Sequence, residues 1–476
     1  MQSTSHSFKD NARAAMANPT LQRAMGNMRH GFLAKRLAAI DRLPEFDALR
    51  DRARDIKNHA LEHLDVYLEA WEAKVVSAGG HVHWARDAEE ARRIVLAICQ
   101  RLDARTVTKG KSMIAEEIAL NPFLEANGIV PVETDLGEYI IQIRNESPSH
   151  IIAPAIHLVQ DQIEQSFREI HTQFDRDRPL VEPRQLVDEA RGVLRDKFIA
   201  ADVGITGANF LVAETGSSII VTNEGNGDLT QTLTKAHIVV TSLEKIVPTL
   251  EDAQTILRVL ARSATGQEYS VYTTVSTGPR RPNDLDGPGE YHVVLLDNGR
   301  SRMLGTEFQD MLRCIRCGAC MNHCPVYATV GGHAYGWVYP GPMGAVLTPS
   351  LIGVDEAGHL PNASTFCGKC ESVCPMRIPL PKMMRHWRER EFERHLSPAA
   401  MRWGIAAWAF LAKRPKLYRW VSGLTANVLG LLGRAHGSFR NLPLAGGWTL
   451  GRDMPTPQGE TFHRAWARRR PRGTHS

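Results

Sequence analysis

"RCIRCGACMNHCPVY", residues 313–327, and "TFCGKCESVCP", residues 365–375, are the two stretches that decide how the second half of this chain folds. Together they hold seven cysteines. In the first stretch, the pattern Cys-x2-Cys-x2-Cys wraps thiolates around one iron-sulfur cube. A further cysteine, followed by proline, is carried away from that cube and ligates a second one. The spacing therefore predicts a two-cluster iron-sulfur module.

The second stretch matches only the last three of the four cysteine positions, and Ser364 stands where the missing cysteine would be. Exchanging the fourth cysteines between the two stretches gives one complete set and one set of three. The complete set is Cys314, Cys317, Cys320 and Cys374, and the incomplete set is Cys324, Cys367 and Cys370. One of the two clusters is thus predicted to lack a thiolate at one corner.

Three interpretations of the incomplete set stay open. The last iron of a cubane could bind the oxygen of Ser364, a histidine or solvent; the site could hold a three-iron cluster; or a partner could lend a cysteine. The candidate histidines are His323, His333 and His359. A non-thiolate corner changes the charge of the cluster and hence its reduction potential. A redox relay is favoured over catalysis at that iron, because clusters in helical ferredoxin modules mostly carry electrons.

Zinc is the alternative metal, because two Cys-x-x-Cys pairs can hold it tetrahedrally. The third cysteine of the first stretch, the two Cys-Pro ends and the odd total argue against zinc. The eighth cysteine, Cys99, lies alone in the apolar segment "IVLAICQ" and is predicted to pack in a core. Disulfide bonds among the seven clustered cysteines are disfavoured, since the spacing of these residues is that of metal ligands.

The composition is that of a globular protein without membrane spans. At 476 residues, 43% hydrophobic and 23% charged, the chain is expected to form two or three units. Its start lacks the apolar segment of a secretory signal and carries Asp10, which predicts a cytoplasmic protein. The longest apolar runs begin at Trp403 and Trp420 and have 10 and 14 residues, fewer than the roughly 20 that a spanning helix needs.

Four regions are predicted along the chain. Residues 1–78 show helical periodicity up to a Gly-Gly stop, and residues 79–299 alternate short apolar strands with amphipathic helices. The second pattern predicts an α/β domain with a mixed, largely buried sheet. Residues 300–385 form the cysteine module, and residues 386–476 form a helical tail rich in Trp and Arg. The predicted strands are HVHWA (81–85), GIVPVE (128–133), HIIAPA (150–155), NFLVAE (209–214), SIIVTN (218–223), AHIVVT (236–241) and YHVVLLDNG (291–299).

The tail holds the positive charge of the protein. Residues 377–476 contain 19 Lys and Arg against 5 Asp and Glu, a net charge of +14, whereas the whole chain carries +5. Segments 403–420 and 426–450 are predicted as two amphipathic helices with a break at Pro415. We favour packing of these helices on the iron-sulfur module; a partner groove, or an anionic membrane surface with quinone as acceptor, is the alternative. The final Arg run has no nucleic-acid reading module beside it, so nucleic acid is not predicted as a partner.

The α/β region contains several candidate binding residues. In "TVTKGKSM", residues 106–113, the phosphate-loop pattern fails because Arg105 stands where a glycine is needed. Lys109 and Lys111 at this strand-to-helix turn could bind an anion, but a solvated turn is the favoured interpretation. Further candidates at turns and strand ends are Glu214, Ser217, Asn223, Glu224, Thr265, Gln267, Arg280 and Arg300.

Eight segments, in order between residues 109 and 375, resemble the lactate utilization protein B family of bacterial iron-sulfur proteins. They are KGKSMIAEEIALN, VETDLGEYIIQI, GITGANFLVAETGSSIIVTNEGN, RSATGQ, GPGEYHVVLLDNGR, LRCIRCGACMNHCPVY, GGHAYGWVYPGPMGA and CGKCESVCP. The resemblance implies a lactate-utilization domain similar to the sugar-phosphate isomerase and CoA-transferase fold, followed by a helical ferredoxin-like module. The family likewise has seven cysteines, so Ser364 is not a defect of this chain.

The resemblance also implies cofactors and partners. It assigns one [4Fe-4S] cluster to Cys314, Cys317, Cys320 and Cys374, and a second to Cys324, Cys367 and Cys370. It implies two companions, lactate utilization proteins A and C, that act with this chain in oxidising L-lactate to pyruvate. The family supplies no catalytic base and no lactate-binding residue, and a fold by itself does not supply them either.

Three functions are therefore weighed. We favour an electron-transfer subunit of an L-lactate-oxidising complex. The second hypothesis is a self-contained oxidoreductase of 2-hydroxy acids, and the third is a non-catalytic iron-sulfur scaffold or sensor. The primary hydride acceptor is not visible in the sequence, and the identity of the substrate rests on the resemblance.

Overall fold

The computed structural model of this chain describes residues 3–442, 449 and 451–469. It divides into two compact units, Met1–Glu391 and Phe392–Ser476. The finer regional boundaries given above stay predictions.

Helices fill the N-terminal region, as the sequence predicts. They are α1 Phe8–Ala17, α2 Pro19–Asp41, α3 Phe46–Glu62 and α4 Leu64–Ser77. The side chain of Asn18 caps α2 by accepting two backbone N–H groups, and Pro19 takes the first helical position, where no N–H is needed. Helix α3 buries residues at three- and four-residue spacing along one face. These helices are therefore amphipathic elements that need a partner surface.

The α/β region supplies two sheets. Its strands are β1 His81–Ala85, β2 Thr106–Lys109, β3 Val130–Glu133, β4 Val203–Thr206, β5 Phe210–Val212, β6 Ser217–Thr222, β7 Ala236–Ser242, β8 Ile246–Val247, β9 Tyr272–Ser276 and β10 Glu290–Leu296. Its helices are α5 Ala88–Arg101, α6 Met113–Glu117, α7 Leu120–Ala126, α8 Leu136–Ile143, α9 Gln160–Ile170, α10 Pro183–Ala200, α11 Asn226–Thr232 and α12 Leu250–Ala264. This alternation is the α/β architecture predicted from the sequence.

The main sheet has six parallel strands in the order β1-β10-β7-β4-β2-β3. Every residue of β7 is buried, as expected for a parallel strand covered on both faces. Ile238 and Val240 belong to a core that includes residues of α5, α6 and α7. Val239, on the opposite face of the same strand, packs in a core with Trp71 of α4 and Ile246 of β8. The sheet is therefore the central layer of the domain.

The second sheet has the order β8-β5-β6-β9, with antiparallel pairs β5-β6 and β6-β9 and a parallel pair β5-β8. The prediction of one mixed sheet is thus wrong in this detail. Strands β5 and β6 form a hairpin around Gly216, which adopts a φ of +74°, and pair with each other instead of joining the main sheet. A Cβ at Gly216 would also lie 2.6 Å from the side chain of Lys74, so the hairpin approaches α4 closely.

The segment HIIAPA is not a strand, contrary to the prediction. Residues 150–155 form bends and turns. Nδ1 of His150 accepts the backbone N–H groups of Ile152 and Ala153 at 3.0 and 3.1 Å, and Pro154 has no N–H to donate to a sheet. Local hydrogen bonds of this kind compete with strand pairing, which apolar composition alone does not reveal.

The cysteine module is built from short helices. They are α13 Ala319–Asn322, α14 Tyr327–Val330, α15 Gly341–Ile352, α16 Val354–Ala357, α17 Lys369–Val373 and α18 Leu380–Glu393. One hydrophobic core joins this module to the N-terminal helices, α12 and the second sheet. Nη2 of Arg36 donates to the carbonyl of Val373 at 3.0 Å, and the hydroxyl of Tyr327 donates to the carbonyl of Ser149 at 2.7 Å. The module is therefore integrated with the rest of the first unit.

The second unit consists mainly of α19 Ala399–Ala412, α20 Pro415–Leu432, a small ribbon of β11 Ser438–Phe439 and β12 Met454–Pro455, and α21 Phe462–Arg469. The break at Pro415 is confirmed. The second predicted helix is wrong in its bounds, because it begins at Pro415 and ends before Gly433. Residues 443–448, 450 and 470–476, which include part of the predicted helix and of the Arg run, lie outside the described residues. Among the described residues, none of the helices is long and apolar enough to cross a membrane.

Candidate functional site

The two cysteine segments share one backbone conformation. Arg316 and Phe366, which precede Cys317 and Cys367, adopt φ values of +58° and +53°. Gly318 and Gly368, which follow those cysteines, adopt +72° and +77° and stand at the N-termini of α13 and α17. Both segments therefore turn their backbone in the same way before a short helix that carries the next cysteine. Ser364 occupies in the second loop the position of Cys314 in the first.

The structure gathers the four cysteines of the complete set. Burial raises the pKa of the Cys317 thiol, and the nearby Cys374 and Cys314 raise it further. Burial also raises the pKa of Cys320, and the three other thiols of this group add to the shift. Cys374 thus comes from the second segment to lie beside thiols of the first. We refer to Cys314, Cys317, Cys320 and Cys374 as the first thiol group.

The remaining cysteines of the two segments form a second thiol group, Cys324, Cys367 and Cys370. Burial raises the pKa of Cys370 to about 12, and Cys324 and Cys367 add to the shift. Cys370 also contributes, as the smallest effect, to the raised pKa of Cys320 in the first group. The two groups therefore adjoin, and the division of the cysteines between two clusters stays a prediction.

Buried cations surround the first thiol group. They are Arg36, Arg50, Lys245, Arg313 and Arg316, each between 4% and 8% exposed, and each interacts electrostatically with a cysteine of the group. Arg50 also donates from Nη2 to the carbonyl of Cys374 at 2.8 Å. A cube held by four thiolates carries net negative charge, and buried charge needs nearby compensation. The donor set and its surroundings therefore fit a [4Fe-4S] cluster.

The second thiol group reaches the protein surface. Cys367 is exposed, whereas Cys324 and Cys370 are buried. Hydrogen bonds from the backbone of Lys369 and the side chain of Thr365 lower the pKa of Cys367, which favours the thiolate form that binds iron. Three thiols at one site fit an iron-sulfur cluster with one corner left for another ligand.

The candidate side chains for that corner differ in their surroundings. Ser364 Oγ accepts the backbone N–H of Phe366 at 3.1 Å. Nδ1 of His323 lies 2.9 Å from the carbonyl of Ala319, and Nε2 of His333 donates to the carbonyl of Ser147 at 2.7 Å. His333 is therefore engaged with the α/β region, while Ser364 holds the position that its backbone shares with Cys314.

A cavity of about 220 Å³ lies between the α/β region and the first cysteine loop. Several of the residues singled out in the sequence line it, namely Lys111, Asn223, Glu224, Thr265 and Gln267. Ile315 and Arg316, which lie between Cys314 and Cys317 in the sequence, complete the wall. The structure thus unites candidates from three separate segments beside the first thiol group.

Charged side chains line this cavity. Nζ of Lys111 donates to the carbonyl of Ile152 at 2.6 Å and lies 3.9 Å from Oδ2 of Asp135. The carboxyl group of Glu224 is partly desolvated although the residue is exposed, and this desolvation, with the charge of Asp135, raises its pKa. Lys245 is 7% exposed and has no hydrogen-bonding partner among the described residues.

Other predicted residues lie elsewhere. Ser217 Oγ accepts a hydrogen bond from the hydroxyl of Thr215, and Glu214 accepts the N–H of Leu250, both away from the cavity. Arg280 does not line the cavity either. Glu214 and Ser217 belong to the hairpin of β5 and β6, and Arg280 lies in the segment between β9 and β10.

Lys109 contradicts the favoured interpretation of a solvated turn. The strand-to-helix turn itself is confirmed, since β2 ends at Lys109 and α6 begins at Met113. However, the Lys109 side chain is fully buried, and its Nζ lies 2.6 Å from Glu133 and 2.8 Å from Glu116. These carboxylates, with Glu138, raise the pKa of Lys109 against the effect of burial. Lys109 is therefore the cation of a buried ion cluster.

Arg300 is the centre of a second buried ion cluster. Its Nη2 lies 2.7 Å from Glu117 and its Nε lies 3.1 Å from Glu244. The hydroxyl of Tyr339, in the cysteine module, donates to Glu117 at 2.6 Å. Burial alone would raise the pKa of Glu244, but Arg300 and Arg316 lower it to about 2. This cluster therefore connects the α/β region to the first cysteine loop.

Sequence reasoning missed Lys245, Glu244 and Glu117. The position of Glu244 and Lys245 could have indicated them, since both lie in the short helical turn that follows β7. Ligands of parallel sheets bind beyond the carboxyl ends of the strands. Arg316 carried a signal too, since it lies between two predicted cluster ligands. A charged residue at such a position is expected to act on the charge of the site.

An α/β domain joined to a module with two cysteine groups defines an iron-sulfur protein of the electron-transport type. Family models agree with this division: one described as "LUD domain" matches residues 68–296, and one described as "4Fe-4S dicluster domain" matches residues 310–378. The chain belongs to the lactate utilization protein B family. It is 42% identical to a Lactate utilization protein B of Geobacillus thermodenitrificans over 96% of both chains.

Further relatives are equally similar along their whole length. The chain is 42% identical to a protein of Escherichia coli named "Uncharacterized electron transport protein YkgF", again over 96% of both chains. It is 40% identical to Lactate utilization protein B of Bacillus subtilis, over 96% of this chain and 95% of the relative. A solved structure, a DUF162 family protein from Deinococcus radiodurans, matches 49% of this chain and 98% of its own at 16% identity. Its TM-score of 0.25 is too low to bear on the fold.

Proposed function

We propose that this chain is the iron-sulfur electron-transfer subunit of a complex that oxidises L-lactate to pyruvate. The observation that carries the proposal is the pair of adjoining thiol groups, one buried among cations and the other reaching the surface at Cys367. Such an arrangement provides an electron with an interior site and an exit. The relatives named Lactate utilization protein B support lactate as the substrate of the system.

The proposed ligand sets are Cys314, Cys317, Cys320 and Cys374 for one [4Fe-4S] cluster and Cys324, Cys367 and Cys370 for the second. Clusters bound at these cysteines supply one-electron chemistry, and two of them match the two electrons that oxidation of a 2-hydroxy acid releases. The chain contributes the charge around them. The five cations at the first group stabilise added negative charge and so favour its reduced state.

The proposed partners are lactate utilization proteins A and C. We also propose a cytoplasmic location. For the second unit, packing of its helices on the iron-sulfur module stays the favoured prediction, and the alternative is a contact with a partner or with an anionic membrane surface that offers a quinone-linked acceptor. In α19 and α20 the side chains of Trp403, Trp408 and Trp420 are 64% to 76% exposed, and Lys413 and Arg414 stand between these helices. Exposed aromatic residues beside basic ones suit both surfaces.

A self-contained oxidoreductase of 2-hydroxy acids is the second candidate function, and the charged cavity beside the first thiol group favours it. The test is to purify the chain without air, alone and mixed with its two companions, and to add L-lactate. Cluster reduction is followed by loss of visible absorbance and by paramagnetic resonance, with D-lactate as the control.

We expect reduction by L-lactate only in the mixture. Reduction of the isolated chain would instead establish the self-contained enzyme. If the clusters are reduced by dithionite but by lactate in neither sample, the proposed function is wrong, and the chain is an iron-sulfur scaffold or sensor.

A further inference from the structure

We propose that the cavity beside the first cysteine loop binds the carboxylate of a small 2-hydroxy acid. Lys245 and Arg316 are its anchoring cations, and Glu224 accepts a hydrogen bond from the hydroxyl group. The choice of acid rests on the proposed function, which makes L-lactate the first ligand to test.

The size of the cavity selects a small ligand. Its volume of about 220 Å³ is below the range of roughly 300–1,000 Å³ that is usual for pockets of drug-sized ligands. A short carboxylic acid fits such a space. The walls come from the turn after β2, the loop between β6 and α11, residues following α12 and the first cysteine loop.

Lys245 is the strongest sign of an anionic ligand. The residue lines the cavity and is only 7% exposed. Its ammonium group forms no hydrogen bond with the described residues. The stem of Lys245 is buried while its nitrogen keeps access to the cavity, so its N–H donors are free for a ligand that supplies acceptors. By contrast, Nζ of Lys57, which is 2% exposed, donates to the carbonyls of Glu244 and Ile246, the latter at 3.1 Å.

Arg316 adds donors at the same wall. Its only ion pair among the described residues is Nη2 to Glu244 at 3.4 Å, and its buried Nε has no partner. A guanidinium with free donors can bind a carboxylate through two parallel hydrogen bonds. Lys111 adds positive charge to the cavity, although its Nζ is also bonded to a backbone carbonyl.

The hydroxyl group of the acid needs a hydrogen-bond acceptor, and Glu224 provides one. Its carboxyl group lines the cavity, and the amide of Asn223, which bonds to Gln267 at 3.2 Å, fixes the neighbouring loop. Desolvation and Asp135 raise the pKa of Glu224, which makes it a better hydrogen-bond acceptor when ionised. A 2-hydroxy acid presents these two groups, carboxylate and hydroxyl, on adjacent carbons.

The cavity also adjoins the first cysteine loop. Arg316 stands between Cys314 and Cys317, and Lys245 interacts electrostatically with Cys314. An acid bound to both cations is therefore adjacent to the first thiol group. This placement explains why the anchoring residues are shared between the α/β region and the cysteine loop.

The test is direct binding of L-lactate to the cluster-loaded, air-free chain by calorimetry, with lactamide as the uncharged analogue. We expect saturable binding of lactate and at least tenfold weaker binding of lactamide. Lys245→Met is expected to weaken lactate binding by tenfold or more, because a hydrogen bond to a charged group is lost. Lys111→Met is expected to weaken it less. The matched control is Lys235→Met, which removes an exposed lysine that pairs with Asp202 away from the cavity, and it should bind as the parent does.

The visible absorbance of each variant shows whether its clusters are intact. If Lys245→Met loses its clusters, the proposal is tested with Lys111→Met and Glu224→Gln instead. It requires that at least one of these two variants binds lactate more weakly than the parent protein. No saturable binding to the parent chain, or unchanged affinity in the variants that keep their clusters, would overturn the proposal. If lactate still reduces the clusters in the mixture with the companions, only the site assignment fails, and the electron-transfer function stands.

Discussion

The Cys317→Ala variant, purified without air, is expected to contain about half the iron of the parent protein. The lost thiolate belongs to the proposed complete set, in which each corner of the cube needs one cysteine. Cys317 is 8% exposed, so water has little access to replace the missing sulfur. Iron and acid-labile sulfide per chain are the measured quantities.

The exchange of ligands between the two segments sharpens this prediction. Cys374→Ala should leave the same residual paramagnetic signal as Cys317→Ala, although the two residues belong to different segments. Cys324→Ala should instead match Cys370→Ala. Cys99→Ala is the control, because Cys99 is buried in a core of the α/β region and should leave the iron content unchanged. Full iron content in both Cys317→Ala and Cys374→Ala would refute the ligand assignment.

Replacing Arg300 by methionine is expected to destabilise the protein by about 3–5 kcal/mol, the usual effect of removing one partner from a buried ion pair. The substitution leaves Glu117 and Glu244 buried without their shared cation, and these residues are 6% and 3% exposed. Because Tyr339 and Arg316 of the cysteine module contact the same carboxylates, cluster retention should fall as well. The measurements are urea unfolding followed by circular dichroism and iron per chain.

The matched control for Arg300→Met is Arg86→Met. Arg86 pairs with Glu90, but its side chain is 88% exposed, so no measurable change in stability or iron content is expected. If Arg300→Met unfolds at the same urea concentration as the parent, the buried cluster does not connect the α/β region to the module in the way described.

Much of the fold could be predicted from local patterns. The period of apolar residues identified the N-terminal helices, which bury one face, and the buried strands, which bury both. The division between two sheets was missed, since pairing partners depend on contacts distant in sequence. The segment HIIAPA has the composition of a strand, but Nδ1 of His150 satisfies the following amides locally.

The candidate site could be predicted in part. Cysteine spacing predicts an iron-sulfur module because ligation imposes its own geometry on the sequence, and the match of a 4Fe-4S dicluster domain model confirms the module. The assignment of each cysteine to a cluster stays a prediction. Asn223, Glu224 and Gln267 were found from turn signals, and the structure places them in one cavity. Lys245 was missed since a single lysine after a strand does not show that its side chain is buried and lines a cavity. Lys109 was misjudged for the same reason, as its carboxylate partners come from three other elements.

The packing of the N-terminal helices on the cysteine module was not predicted at all. Arg36 and Arg50 reach the first thiol group from α2 and α3, more than 300 residues away in sequence from the carbonyls that they bind. The amphipathic pattern of a helix does not indicate which surface of the protein the helix packs against. Such cations are nevertheless part of the site, because they compensate its charge.

The most direct test of the central claim is the metal content of the full chain purified without air, combined with paramagnetic resonance after dithionite reduction. The account predicts about eight iron atoms and eight sulfides per chain, or about seven irons if the incomplete group holds a three-iron cluster, and two interacting signals. Stoichiometric zinc, or iron for one cluster only, would contradict it.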